Sequence, residues 1–285
     1  MTGITTNYSQ LSALRNLQSV NKQLDQTQNR ISTGLKINSA KDGASQWSAA
    51  TKMRADISSY RALSDGLDYY KSTADVVSGA AESIVNSLND MKSLITQYAN
   101  TSDATEQATI YASIQSAEAQ IKSALAAGQV KGATDWLSAT TTVTANIGYD
   151  STGAAVTDTL TKVDVDTAVT ATAIGGGAAG ITSITTADID TAGEVTATQT
   201  AIDTAITTVT AYAAKLGSFA DRLGDSQAFL DKIADVKQSS LSDMVDADLE
   251  EESAKLSALQ VQQQLAIQAL QISNASAQNI LRLFQ

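Results

Sequence analysis

Cysteine, histidine and proline are all absent from the 285 residues. Without cysteine no disulfide staples the fold, and without cysteine or histidine the usual thiolate and imidazole metal sites cannot be built. Histidine acid–base chemistry and cysteine nucleophiles are excluded with them. A cysteine-free chain suits any redox compartment, the outside of a cell included. Positive charge is scarce. The net charge of −11 leaves no basic footprint, so a nucleic-acid partner is not expected. No run is apolar enough to span a bilayer. Met1-Thr2-Gly3-Ile4-Thr5-Thr6-Asn7 has no basic n-region or apolar h-region, so a cleaved secretory signal is not expected. Nothing in the residues calls for a cofactor. With no proline, long helices can run without interruption.

What is present is an apolar repeat. Met53, Tyr60, Leu67, Ala74, Ala81, Leu88 and Ile95 recur every seven residues. Leu63, Tyr70, Val77, Ile84, Met91 and Tyr98 hold the position three residues later. Such a repeat describes a helix with one narrow seam against other helices. At ~1.5 Å per residue it runs roughly 70 Å, too long for an ordinary globular domain. Taken alone, the stretch fits any coiled coil.

Upstream, Ile4, Tyr8, Leu11, Leu14, Leu17, Val20, Leu24 and Ile31 follow helical spacing to about Thr33. Gly34 punctuates, and Asn38-Ser39-Ala40-Lys41-Asp42-Gly43 reads as a loop before the long helix starts near Ala44. Asn100-Thr101-Ser102-Asp103 is a turn with an N-cap, and the next helix runs from Ala104 to Ala127. Its seam is Tyr111, Ile114, Ile121 and Leu125, and Gly128 is its stop. From Gln129 to Asp190 the texture turns to Thr, Val, Ala, Asp and Gly. Asp150-Ser151-Thr152-Gly153 and Gly175-Gly176-Gly177 are turn material, and Lys162-Val163-Asp164-Val165-Asp166 alternates as a strand does. Asp164, Asp166, Asp188 and Asp190 lack partner residues for catalysis, and Gly175 to Gly180 adjoins no phosphate-binding signature.

The helical period returns at Ile202, Val209, Leu216, Leu223 and Leu230. Ala213, Ala214, Gly217 and Gly224 suggest a close approach of backbones there. The last helix, about Ser242 to Leu283, carries Leu249, Leu256, Leu270 and Phe284 in sevens beside Leu259, Ala266 and Ile280. Val261, Leu265, Ile267 and Ile272 fall off that seam, and no charge stands between Lys255 and Arg282. A helix apolar on more than one side needs several helical neighbours. One reading is a coiled coil satisfied within the chain. The off-seam residues favour assembly with other copies, since they would otherwise face water. The expected fold is mainly α, a long antiparallel coiled-coil or helical bundle with a small β-region in the middle of the chain.

Asn29-Arg30-Ile31-Ser32-Thr33-Gly34-Leu35-Lys36-Ile37-Asn38-Ser39-Ala40-Lys41-Asp42 resembles the N-terminal signature of bacterial flagellins, ERLSSGLRINSAKDD. Leu63-Ser64-Asp65-Gly66 is similar to the NANDG segment of that family's long helix. The ending, Ala275 to Gln285, resembles AQANQxPQNVLSLLR. Ser45-Gln46-Trp47-Ser48 and Asp135-Trp136-Leu137 look most like flagellins of the α-proteobacterial kind. The resemblance covers both terminal thirds of the chain and is weak between them.

The resemblance implies a structural, non-enzymatic subunit that polymerises into the flagellar filament. Residues 1–43 and 240–285 would pair as the inner-core domain. Residues 44–128 and 191–239 would form an outer-tube domain, and 129–190 a variable, surface-exposed β-rich region. The polymerisation residues would be Leu11, Leu14, Leu17, Leu24 and Ile31 near one end. Near the other they would be Leu256, Leu259, Leu265, Leu270, Ile272, Ile280, Leu281 and Phe284. The implied partners are further copies of the chain, an export chaperone with the type III export apparatus, and the hook-associated junction and cap proteins. The implied location is the extracellular filament, reached without a cleaved signal. A hook–filament junction protein of the same terminal coiled-coil type is the alternative, and filament growth by purified subunits separates the two. An enzymatic outer domain is excluded by the short middle and the missing histidine.

Relatives sensed by the animal flagellin-sensing Toll-like receptor carry LQRVRELSVQ in the long helix. The matching residues here are Leu88 to Gln97. Asp90 replaces the first arginine and Ser93 the glutamate, while Leu94 and Gln97 are kept. Weak or absent recognition by that receptor is expected.

Overall fold

The computed structural model describes residues 8–129, 135–172, 174 and 180–283, with the side chains of Ser9 and of 276–283 left undescribed. More than two-thirds of the chain is α-helix: α1 (Tyr8–Thr33), α2 (Ala44–Asn100), α3 (Ala104–Ala127), α4 (Val165–Thr170), α5 (Ala192–Val245) and α6 (Leu249–Leu283). Strands β1 (Thr142–Tyr149) and β2 (Ala155–Thr161) form one antiparallel hairpin. Two compact units result, one from residues 1–58 and 234–285, the other from 59–233. The division falls inside α2 and α5, so both helices contribute to both units.

The second unit (59–233) holds the main core. Of the heptad positions in α2, Leu67, Ala74, Ala81, Leu88, Ile95, Val77, Ile84 and Met91 are fully buried. They meet Ile114 and Ile121 of α3, and Ile202, Val209, Tyr212, Leu216, Phe219 and Leu223 of α5. Cross-helix bonds set the register. Lys92 pairs with Asp203 at 2.5 Å, and the Gln199 amide donates to the Thr96 hydroxyl at 2.9 Å. The Gln227 amide donates to Asp68 at 2.7 Å. As residue numbers rise in α2 they fall in α5, so the two helices run antiparallel. The turn before α3 works as its sequence implies: the Asp103 carboxylate accepts from the backbone N–H groups of Thr105 and Glu106, which is N-capping.

Over this bundle lies the middle of the chain. The buried Tyr212 hydroxyl donates to the Trp136 carbonyl at 2.6 Å, and burial raises the pKa of that phenol. The Lys162 ammonium, itself buried, donates to the Asp135 carbonyl at 2.9 Å. Arg222 of α5 grips Asp158 of β2 with two nitrogens, at 2.8 and 3.2 Å. Ile184 is held from α3 on both sides of its peptide: its N–H donates to Glu118, and its carbonyl accepts from the Tyr111 hydroxyl. Glu118 is buried, and that burial raises its pKa despite the bond from Ile184 and the nearby Lys122.

A strip of threonines runs along α5. The hydroxyls of Thr196, Thr200, Thr204 and Thr208 each donate to the carbonyl four residues earlier, at 2.8 to 2.9 Å.

Three expectations need correction. Lys162–Asp166 is not a strand. The Asp164 carboxylate accepts from the Thr167 N–H at 2.7 Å and opens α4 instead. Gly217 makes no close backbone approach, since a Cβ there would meet nothing within 4 Å, and Gly224 faces only the Lys71 side chain. The last helix begins at Leu249, because α5 continues to Val245. The turn expected at Gly175-Gly176-Gly177 lies outside the described residues.

Candidate assembly surface

The first unit (1–58 with 234–285) is built on α1 against α6. The Gln263 amide donates to Asn21 at 2.8 Å, and Arg30 pairs with Glu252 at 2.8 Å. Rising numbers on one helix meet falling numbers on the other, so these two also run antiparallel. On α6 the buried and half-buried positions are Glu252, Leu256, Leu259, Gln263, Ala266, Leu270 and Ser273. That is a strict alternation of four- and three-residue steps, one coiled-coil stripe. On α1 the matching stripe is Ala13, Leu17, Val20, Leu24, Thr27 and Ile31.

The connection from α1 to α2 closes this unit. Gly34 takes φ +69°, the left-handed conformation that ends a helix most easily at glycine. Leu35 then bridges to Asp246. The Lys36 N–H donates to the Val245 carbonyl at 2.7 Å, and the Ala247 N–H to the Gly34 carbonyl at 2.9 Å. Asp42 gathers the Ser39 and Asn38 N–H groups and the Ser39 hydroxyl. The Ser39 backbone bond is the main reason its carboxyl is held below the usual range. The motif from Gly34 to Asp42 therefore does structural work: it ties the end of α1 to the junction of α5 and α6.

Glu252 is the buried charge of the α1–α6 seam. Burial pushes its pKa up, but the Arg30 hydrogen bond, with Lys255 and Thr27, outweighs burial and lowers it. A carboxylate with a depressed folded pKa adds stability that is present above its ordinary value and lost as pH falls through the folded one. This unit is therefore expected to loosen as pH falls below about 4.5, the ordinary glutamate value. Amide exchange at Leu256 and Leu259, followed against pH, checks it. Glu252→Gln should remove this acid-dependent increment, and an unchanged profile in that variant would refute the assignment.

The expected polymerisation residues divide between seam and surface. Leu259 is 4% exposed and packs in the seam, while Leu17, Leu24, Ile31, Leu256 and Leu270 are half-buried beside it. Leu11 and Leu14 are exposed, and Leu265 and Ile272 are more so, at 58% and 71%. Ile280, Leu281 and Phe284 lie outside the residues whose side chains are described. Other apolar residues of this unit stand in solvent too: Tyr8, Trp47, Val236, Leu249, Val261 and Ile267. In the other unit, Tyr69, Val76 and Phe229 are exposed and were not anticipated. Phe229 could have been found, because it precedes the seam residue Leu230 and a seam takes only one of two neighbours. Asp90, Ser93 and Gln97 are exposed and Leu94 is half-buried.

Among the described residues there is no group of three or more acidic side chains placed to hold a metal ion, and no helix long and apolar enough to cross a membrane.

Residues 4–142 match the family model for the bacterial flagellin N-terminal helical region, and residues 199–284 that for the bacterial flagellin C-terminal helical region. The chain is 37% identical over 295 residues to a flagellin of Brucella melitensis, with 100% of both chains covered. It is 35% identical over 286 residues to flagellin FljM of Caulobacter vibrioides, covering 100% of this chain and 99% of that one. Flagellin C of Rhizobium meliloti is 30% identical over 323 residues, again with 100% of both covered.

Proposed function

Since the chain belongs to the bacterial flagellin family, and so is a non-enzymatic subunit of the extracellular flagellar filament, we propose which of its surfaces build the polymer. The apolar residues that α1 and α6 leave outside their shared stripe are the contacts between subunits. Leu11, Leu14, Leu265 and Ile272 lead this set, and Tyr8, Val261 and Ile267 extend it. Leu17, Leu24, Ile31, Leu256, Leu259 and Leu270 hold the two helices together and present that surface. Ile280, Leu281 and Phe284 are assigned to the same set on their place in the sequence alone. The observation that carries this reading is the split on α6: one stripe covered by α1, and Val261, Leu265, Ile267 and Ile272 in water.

In this reading α1 and α6 form the inner core of the filament, the long helices α2, α3 and α5 its outer tube, and the hairpin region the face toward the medium. The same exposed apolar surface would be shielded by an export chaperone before passage through the type III apparatus. In the filament it would meet the hook-associated junction and cap proteins at the two ends of the polymer. The animal Toll-like receptor that senses flagellins would bind this subunit weakly or not at all, because Asp90 and Ser93 offer it the wrong chemistry.

Replacing Leu265 and Ile272 by lysine tests the surface. Burying a leucine or isoleucine side chain is worth about 1.5–3 kcal/mol. Losing two such contacts weakens each addition step on the order of a hundredfold or more. Seeded growth should stop while the monomer keeps its helical circular dichroism and melting temperature. Elongation at the unmodified rate would remove these residues from the interface.

A further inference from the structure

The first unit is electrically divided along the chain. Residues 1–58 carry seven cations and three acids, and residues 234–285 three cations and seven acids. The unit is therefore neutral as a whole, while its two segments carry opposite charge. Arg30 pairs with Glu252, and Lys237 with Asp56. Lys36 and Glu250 are both exposed, and among the described residues neither is in an ion pair.

Lys36 lines a cavity of about 250 Å³ at the end of α1. Gln26, Asn29 and Arg30 line it from the helix, and Asn38 and Asp42 from the loop that follows. Asp42 is the one acid in its wall, and its Oδ2 already accepts from Asn38 and Ser39. Two cations and three side-chain amides remain to receive an acid.

Such an acid stands on the far side of the helix pair. Thr27 and Glu252 are both buried in the α1–α6 seam. Two residues along an α-helix turn through about 200°. Asn29, in the cavity wall, and Glu250 therefore both point away from the seam, on opposite faces of the pair. The Arg30–Glu252 contact puts them at the same level. Steps of four and seven from Glu250 reach Ala254, Val261, Leu265 and Ile272. Glu250 thus belongs to the face of α6 that α1 leaves uncovered.

We propose that in the filament Glu250 of one copy enters the cavity beside Lys36 of the next. The inference rests on the reading that the uncovered face of α6 meets another copy, and it adds the polar half of that contact. A contact whose two halves lie on opposite faces of one subunit is head-to-tail, so it passes from copy to copy without closing on itself. The occupant is a second copy rather than a free anion, because the acid shares its face with the apolar contacts and its level with the cavity. The opposite charges fix the register in which two copies meet.

Seeded elongation by full-length monomers tests it. Glu250→Lys and Lys36→Glu should each slow growth about tenfold or more, since each sets like charges together. Glu250→Lys/Lys36→Glu should bring growth back to within about threefold of the unmodified chain, because the pair is rebuilt with its signs reversed. Glu250→Lys/Lys52→Glu has the same net charge but changes an exposed cation outside the cavity wall, and should stay slow. Growth of either single variant at the unmodified rate overturns the proposal. So does a double exchange no faster than its parents, or rescue by the Lys52 variant. Circular dichroism reads the helix content of each monomer. Where a reversal lowers it, Glu250→Gln and Lys36→Gln take its place, and unmodified growth in both overturns the proposal. None of these variants touches Leu265 or Ile272, so failure here leaves the apolar surface to its own test.

Discussion

Deleting Leu259–Gln285 is expected to abolish filament growth and leave a soluble, cooperatively folded monomer. The deletion removes most of α6 and with it Leu265 and Ile272, the most exposed of the proposed contacts on that helix. It also removes Leu259, Leu270 and Ser273 from the stripe that faces α1. Left without a partner, α1 should unfold, because most of a helix's stability in a protein comes from packing its apolar face, and that packing is lost. The main core loses nothing: its buried cluster runs from Leu67 to Leu230 and takes no residue from the deleted segment. Far-ultraviolet circular dichroism should lose the signal of α1 and α6 and no more, and the remaining signal should still melt in one step. Growth on filament seeds is the deciding measurement. Elongation by the truncated protein would show that the terminal helices are not the assembly surface.

The second large effect concerns the receptor. At Asp90 a recognised relative offers an arginine, and at Ser93 a glutamate. Both positions here are exposed on α2, so their side chains are what an approaching protein meets. Truncating one partner of a buried charged hydrogen bond at an interface costs roughly 2–5 kcal/mol, and reversing its sign adds repulsion. With the glutamate lost as well, affinity should fall on the order of a thousandfold or more. Leu94 is half-buried in its own unit, which leaves little of it for a partner. In a receptor-reporter cell assay, Asp90→Arg/Ser93→Glu should gain strong signalling over the unmodified monomer. Strong signalling by the unmodified monomer, at doses typical of recognised flagellins, would sink the contact argument.

The long seam was legible because period and burial coincide. From Leu67 to Tyr98 the residues repeating in sevens are those buried in the core with α3 and α5, and no proline competes for the pattern. The short Lys162–Asp166 stretch misled because five residues with two valines fit a strand and one helical turn equally well. What decides there is Asp164, whose carboxylate captures an N–H three residues on. The junction between α5 and α6 was misplaced because neither glycine nor proline marks it. Asp248 does mark it: it accepts from the N–H groups of Glu250 and Glu251, a cap that an aspartate before three glutamates announces. The other half of that boundary is tertiary, the pairing of 245–247 with Gly34–Ile37, and no local pattern contains it. On the assembly surface, the off-seam apolar residues of α6 were visible as surplus. Leu259 was not separable from them, since only the register with α1 decides which side of α6 is covered.

The threonine strip of α5 sets what kind of molecule can lie against that helix. A hydroxyl free in water both gives and takes hydrogen bonds. At Thr196, Thr200, Thr204 and Thr208 the hydrogen is already committed to the helix's own carbonyls. What remains outward is a methyl group and an oxygen that can only accept. Carboxylates, which outnumber cations in this chain by 30 to 19, find no donor along the strip. A lysine, an arginine or an amide nitrogen finds a row of acceptors spaced one helical turn apart. The strip is thus a one-way polar surface, open to donors and closed to acids, although its composition reads as neutral and indifferent.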